Sequence, residues 1–86
     1  MGKKEIYIIA KCNRENDGEM YMSAWHEYNW DDAIKSIKLD FRGEMEIRFE
    51  SDDEWSMDML HQSMSNEYYY ECDGGETHYH ITKALV

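Results

Sequence analysis

The sequence predicts an α+β fold, a five-stranded and largely antiparallel sheet with two helices packed against it, in the order ββαβαββ. Three observations point there. Short segments rich in β-branched and aromatic residues recur along the chain, several of them alternating apolar and polar residues at period two. Trp30, Ala33, Ile34, Ile37, Lys38 and Phe41 instead fall at helical spacing, a stripe with one lysine whose stem can lie along it. The glycine-bearing stretches Asn16-Asp17-Gly18 and Asp73-Gly74-Gly75-Glu76 separate strand-like segments at hairpin distance.

Taken in order, Lys4–Asn13 has the β-branched and aromatic character of an interior strand and holds no breaker. Asp17-Gly18 accommodates the positive φ of a tight turn, and Glu19–Trp25 returns as the second strand. There Met20, Met22 and Ala24 are expected on the core face, with Tyr21, Ser23 and Trp25 on a partly exposed aromatic face. Asn29 is placed to cap the first helix, Asp31 and Asp32 sit where the helix dipole favours anions, and Arg42-Gly43 closes the far end. Glu44–Glu50 then alternates as a third strand, with Met45, Ile47 and Phe49 inward and Glu44, Glu46, Arg48 and Glu50 outward. Ser51-Asp52-Asp53-Glu54 has the form of a capping box. It opens a second helix, about Asp52 to Ser63, that buries some of Trp55, Met59, Leu60 and Met64 and shows Asp52, Asp53, Glu54 and Asp58 to water. Ser65-Asn66 ends it, Glu67–Cys72 is the fourth strand, and Thr77–Leu85 is the fifth.

Eighty-six residues make one domain spanning 1–86, and 42% hydrophobic residues with 14% aromatics are too many for a disordered chain. Charge is distributed very unevenly. From Glu44 to Glu76 the chain carries eleven carboxylates against the single base Arg48, so the whole formal net charge of −10 lies in the second half. A field of one sign bears on partners and association rates rather than on fold. No apolar run approaches the roughly 20 residues that span a bilayer, and the N-terminal stretch has no long apolar region or cleavage site of a signal peptide. The cytoplasm is the expected compartment, with no membrane partner. Cys12 and Cys72 are too few for a disulfide framework and are expected as free thiols there.

Catalytic and metal signatures are thin. His78 and His80 share one face of the fifth strand, and with Cys72 across the turn they approximate three ligands for a transition metal. The competing reading is a pair of histidines on a sheet face, and no Cys-x-x-Cys or His-Glu-x-x-His accompanies them. A thiol nucleophile with His26, His61, His78 or His80 as base is the one covalent mechanism the residues offer, but nothing flanks Cys12 or Cys72 to lower a thiol pKa. The Asp52-Asp53-Glu54 run with Asp58 lacks the spacing of a calcium loop, and Asp73-Gly74-Gly75 carries the wrong charge to cradle phosphate. Direct nucleic-acid binding is disfavoured because phosphate neutralisation supplies most of such affinity. No catalytic residue, metal or cofactor is expected.

Tyr68, Tyr69 and Tyr70 are consecutive, so at least one points to each sheet face, and Tyr21, Trp25, Tyr28 and Tyr79 add further aromatic surface. Tyrosines beside carboxylates suit an arginine-rich partner, through charge-assisted hydrogen bonds and stacking on guanidinium planes. In its size, its acidic Glu44–Glu76 segment and its lack of catalytic signatures the chain resembles, as a class, the small acidic proteins with which phages and mobile elements block host defence, anti-CRISPR proteins and DNA mimics among them. A domain about 30 Å across would face about 18 phosphates of a duplex, so a net charge of ten corresponds to partial electrostatic mimicry.

These readings converge on a small acidic inhibitor that is not an enzyme. It docks a negative surface formed by Glu44, Glu46, Glu50, Asp58, Glu67, Tyr69, Glu71, Asp73 and Glu76 onto the basic surface of a nucleic-acid-binding host protein. The alternatives are a homo-oligomeric module, a homodimer for instance, that uses a Tyr-rich sheet face, and a small metal-binding protein or enzyme built on His78, His80 and Cys72.

Overall fold

A computed structural model of the chain describes residues 4–15, 18–48, 59–64, 66–72 and 75–86, side chains excepted at 46–48, 64 and 72. Its elements are β1 (Glu5–Arg14), β2 (Met20–Glu27), α1 (Trp30–Arg48), β3 (His61–Met64), β4 (Glu67–Cys72) and β5 (Gly75–Leu85). The five strands form one antiparallel sheet in the spatial order β2-β1-β5-β4-β3, with the two ends of the chain, β1 and β5, paired over ten residues near its middle. The α+β class and the antiparallel sheet agree with the sequence. The order does not: among the described residues there is one helix, and the elements run ββαβββ.

The correction centres on Glu44–Glu50. Glu44–Arg48 is not a strand but the last turn and a half of α1, while Phe49 and Glu50 lie outside the described residues. Asn29 caps the helix as expected, its Oδ1 accepting a hydrogen bond from the Asp32 amide at 2.8 Å while its Nδ2 donates to Asp32 Oδ2 at 2.9 Å. Gly43 does not stop it, because that residue lacks the left-handed φ of a helix terminus. Met45 fits a period of two from Glu44 onward, but it also continues the stripe Ile37, Phe41, Met45 at steps of four. The helical solution buries it completely, a contribution of about 1.5–3 kcal/mol that outweighs the roughly 1 kcal/mol cost of an interior glycine.

The second expected helix fares differently along its length. Its capping box, Trp55 and Asp58 fall in 51–58, outside the described residues, whereas His61–Met64, placed in its last turn, form the edge strand β3. His61 pairs with Tyr69 and Gln62 with Tyr68, and after a register shift Met64 meets Glu67. Asn66, expected to end the helix, instead extends the sheet beyond β4. Its carbonyl accepts from the Ile81 amide at 3.0 Å and its Nδ2 donates to the Ile81 carbonyl at 2.7 Å. The β1–β2 hairpin closes at Gly18, whose φ of +92° supplies the left-handed residue foreseen there; Asn16 and Asp17 lie outside the described residues.

Helix α1 covers one face of the sheet. The core is Ile9, Ala33, Ile37, Phe41, Met45, Tyr70, Tyr79 and Ile81. Phe41 meets Tyr70 edge to face at 5.0 Å, and Trp25 packs on Tyr79 while donating from Nε1 to Ser36 Oγ at 3.0 Å. The faces of β2 are thus reversed from expectation. Trp25 turns toward the helix, and Met20 and Met22 stand on the far side, the latter 78% exposed. Both rows of β2 hold large apolar side chains, and the indole takes the covered side, where it fills more volume and its N–H has the half-buried Ser36 hydroxyl as partner.

One charge is enclosed on the covered face. Lys11, 9% exposed, reaches Asp40 at 2.8 Å and Glu44 at 2.7 Å, with its ammonium 5.8 Å from the centre of the Tyr79 ring. Tyr79 Oη donates to the same Asp40 at 2.7 Å. Burial pulls the Lys11 pKa down, but the two carboxylates more than offset it and hold the ammonium above the ordinary lysine value. Burial, reinforced by Asp40, pushes the Tyr79 phenol far above its usual range. Nearby, Thr77 Oγ1 donates to Asn13 Oδ1 at 3.0 Å, so this buried pair is answered too. Among the described residues no helix is long and apolar enough to cross a membrane.

Candidate protein-interaction face

Side chains alternate across a sheet, so every strand that sends one row to α1 sends another to the opposite face, which no described element covers. The register assembles that open face from aligned rows. Met22, Cys12, His78, Tyr69 and His61 form one row across all five strands. Arg14, Glu76 and Glu71 form the next row toward the β1–β2 turn, and Ala24, Ala10, His80 and Glu67 lie on the other side. The chain's four histidines, His26, His61, His78 and His80, therefore all occupy one face.

The geometry is that of a stacked ladder edged by carboxylates. Tyr69 stacks on His78 with ring centres 5.6 Å apart and planes 16° from parallel, and His61 sits tilted on the other side of Tyr69 at 5.6 Å. His78 Nδ1 is 3.5 Å from Glu67 Oε1 and its Nε2 is 3.5 Å from Glu76 Oε2, while Arg14 Nη2 approaches Glu76 Oε1 to 2.6 Å. Glu71 faces Glu76 directly across the β4–β5 pair. His61, Tyr69 and Glu71 line a shallow polar hollow of about 300 Å³. The β1–β2 half of the same face is different in kind, with Met20 and Met22 59% and 78% exposed beside exposed Ala10 and Ala24.

Of the residues singled out from the sequence, this face brings together Glu67, Tyr69, Glu71 and Glu76. It does not hold Glu44, which sits on α1 bonded to Lys11, so its charge is answered inside the fold. Glu46 is also helical, and Glu50, Asp58 and Asp73 lie outside the described residues. The tyrosines divide as their alternation requires. Tyr70 and Tyr79 are buried under α1 and Tyr68 is half-buried, so the Tyr-rich surface is mostly the covered one and Tyr69 alone of the triplet faces outward. Burial raises the Tyr68 phenol above its ordinary value.

The backbone register does not align the expected metal ligands. Cys72 pairs with Gly75, out of phase with His78 and His80 in the β4–β5 register. Among the described residues no group of three or more His, Cys, Asp or Glu is arranged to hold a metal ion. What sequence reasoning missed was the row itself. Tyr69 and His78 could be aligned from the Asp73–Glu76 turn, but His61 joins them only once its segment is recognised as a strand. Carboxylates, imidazoles and a phenol on this open surface offer hydrogen bonds and stacking planes to a partner. No protein-family model, curated protein or solved structure matches the chain.

Proposed function

We propose that the chain is a non-enzymatic binding module, acting in the cytoplasm, that docks an acidic surface onto a basic, nucleic-acid-binding surface of another protein. One observation carries this reading: Glu67, Tyr69, Glu71 and Glu76 stand together on a sheet face that α1 leaves open. Asp40 and Glu44, by contrast, are turned inward to Lys11, and on the open face Glu76 also has Arg14 at 2.6 Å. An arginine-bearing partner would meet the carboxylates through charge-assisted hydrogen bonds and Tyr69 with its flanking imidazoles through guanidinium stacking. Inhibition of a host nucleic-acid-binding complex, in the manner of small acidic anti-defence proteins, is the role such a module would play.

The net charge of −10 makes encounter with a basic partner fast and salt-sensitive. The test is affinity capture from nuclease-treated lysate followed by binding measurements on the purified partner. Replacing Glu67, Glu71 and Glu76 by Gln should slow association, as should added salt. An affinity indifferent both to salt and to this triple replacement would dispose of the reading.

A further inference from the structure

We infer that the element seated on the open face is a basic amphipathic α-helix of the partner, its apolar stripe on the methionine half and its basic flank over the β4 carboxylates. This rests on the reading of the face as an acidic docking surface and specifies what docks there. The two halves of the face run parallel to the strands, with Met20, Met22, Ala10 and Ala24 on β2 and β1 and Glu67 and Glu71 on β4. From β2, which carries Met20 and Met22, to β4 is three strand spacings, about 14 Å, and a helix with its side chains is about 10–12 Å across. One helix lying over β1 and β5 therefore meets the methionines on one side and reaches the β4 carboxylates with long basic side chains on the other. Ala10 and Ala24 stand opposite each other and are exposed, small residues beside the flexible Met22 side chain, which adapts to an apolar stripe.

Spacing along the strand agrees. Glu67 and Glu71 are four residues apart, about 13 Å, and basic residues at i and i+7 or i+8 of a helix are about 11–12 Å apart, within the reach of arginine side chains. Charge complementarity selects the occupant. A second copy of this chain would bring another −10 and a matching set of glutamates to the same face, whereas a basic helix neutralises Glu67 and Glu71 as it covers the methionines.

The probe is a synthetic peptide of about 18 residues, about 27 Å as a helix, with leucine on one side and lysine and arginine on the other. A scrambled peptide of the same composition lacks the stripe. Both are titrated at low salt into the full chain carrying ¹³C-methyl methionine. We expect the amphipathic peptide to bind about tenfold tighter than the scrambled one and to shift the Met20 and Met22 methyls while leaving the buried Met45 methyl unmoved. Met20→Thr with Met22→Thr should weaken it about fivefold, and Glu67→Gln with Glu71→Gln should weaken both peptides. Equal binding of the two peptides without movement of Met20 and Met22 overturns the helix and leaves the acidic docking surface standing. Binding of neither peptide overturns both. Methyl shifts that ignore the glutamine replacements overturn the basic flank. Self-association in sedimentation that the threonine replacements abolish gives the face to a second copy and overturns the inference.

Discussion

The two faces of the sheet are made from the same strands and behave as different materials. Tyr70, 2% exposed, meets Phe41 edge to face, and its neighbour Tyr69 stacks between two histidines on the other side. Tyr79 is buried against α1 and donates to Asp40, while the adjacent His78 lies between Glu67 and Glu76 at 3.5 Å, beyond good hydrogen-bond distance. On the covered face a charge is admitted only when answered on several sides, as Lys11 is by Asp40, Glu44 and the Tyr79 ring. On the open face the answers are uneven: Arg14 meets Glu76 at 2.6 Å, whereas His78 stays 3.5 Å from both of its glutamates. A low-dielectric interior penalises an incomplete polar arrangement severely, whereas a wet surface tolerates one and leaves it available to a partner.

The comparison can be broken most directly by truncation. Phe41→Ala removes a fully buried ring from under the helix and should cost about 3–5 kcal/mol, a large share of the 5–15 kcal/mol expected of a whole domain. Met22→Ala on the open face should stay within about 0.5 kcal/mol. Urea unfolding followed by circular dichroism separates the two. Comparable losses would mean that Met22 is covered in the protein as it exists in solution, by a second copy or by the chain itself.

Lys11 supplies the next largest effect. Lys11→Met leaves Asp40 and Glu44 facing each other without their cation, but both carboxylates keep about a quarter to a third of their surface. Water therefore recovers part of the loss, and the cost should be about 1–2 kcal/mol rather than that of a deeply buried ion pair. The same cluster sets the alkaline limit. Folded Lys11 and Tyr79 both hold their protons more tightly than the unfolded chain, whose lysine and tyrosine lose them near pH 10.4 and about pH 10. The stability they contribute is thus fully present below about pH 10 and declines as pH rises toward the folded values. Denaturant midpoints measured from pH 8 to about 11 should fall at the upper end, and less steeply in Lys11→Met, which keeps the tyrosine linkages but loses that of the lysine.

Gly43→Ala should act in the opposite direction. The residue is helical, its φ lies outside the left-handed region, and a Cβ built there meets nothing within 4 Å. Alanine should therefore stabilise the chain by about 0.5–1 kcal/mol, through the helix and through a less entropic unfolded state. A thermal midpoint that drops would show that α1 really ends at this glycine and that Met45 is buried by another route.

Gly43 also shows where the sequence stops being legible. The start of α1 could be read because Asn29 and Asp32 form their own hydrogen bonds, a local event. Its end could not, since Arg42-Gly43 has the chemistry of a stop and Met45 satisfies both periodicities; only burial against the sheet decides. The bounds of β4 were legible because three tyrosines lie between turn residues. The faces of β2 were not, since methionine and tryptophan are both apolar and the choice was made by Ser36, eleven residues on. Lys11 gave no signal at all: a lysine between Ala10 and Cys12 reads as an outward residue until Asp40 and Glu44 are brought over it. For the candidate site, the β4 and β5 residues were readable from one hairpin. The diversion of Glu44 and the arrival of His61 depended on elements whose type was misread.

The smallest effect concerns Glu71, where stability and binding should part company. Glu71 faces Glu76 across the β4–β5 pair, and like charges directly opposite are destabilising. Arg14 answers Glu76 at 2.6 Å, and Glu71 itself is exposed, so the remaining repulsion is weak. Glu71→Gln keeps the shape of the side chain and should raise stability by about 0.2–0.5 kcal/mol, while slowing association with a basic partner. Asp31→Asn removes the same charge from the first turn of α1, away from the open face. There the helix dipole favours the anion, so its loss should lower stability by about 0.3–1 kcal/mol, with little change in association. Two single-charge replacements are thus expected to move stability in opposite directions and binding in only one case. If Glu71→Gln were destabilising and left association unchanged, the carboxylate would be structural, satisfied within the fold like Glu44, and the two faces would obey the same rule.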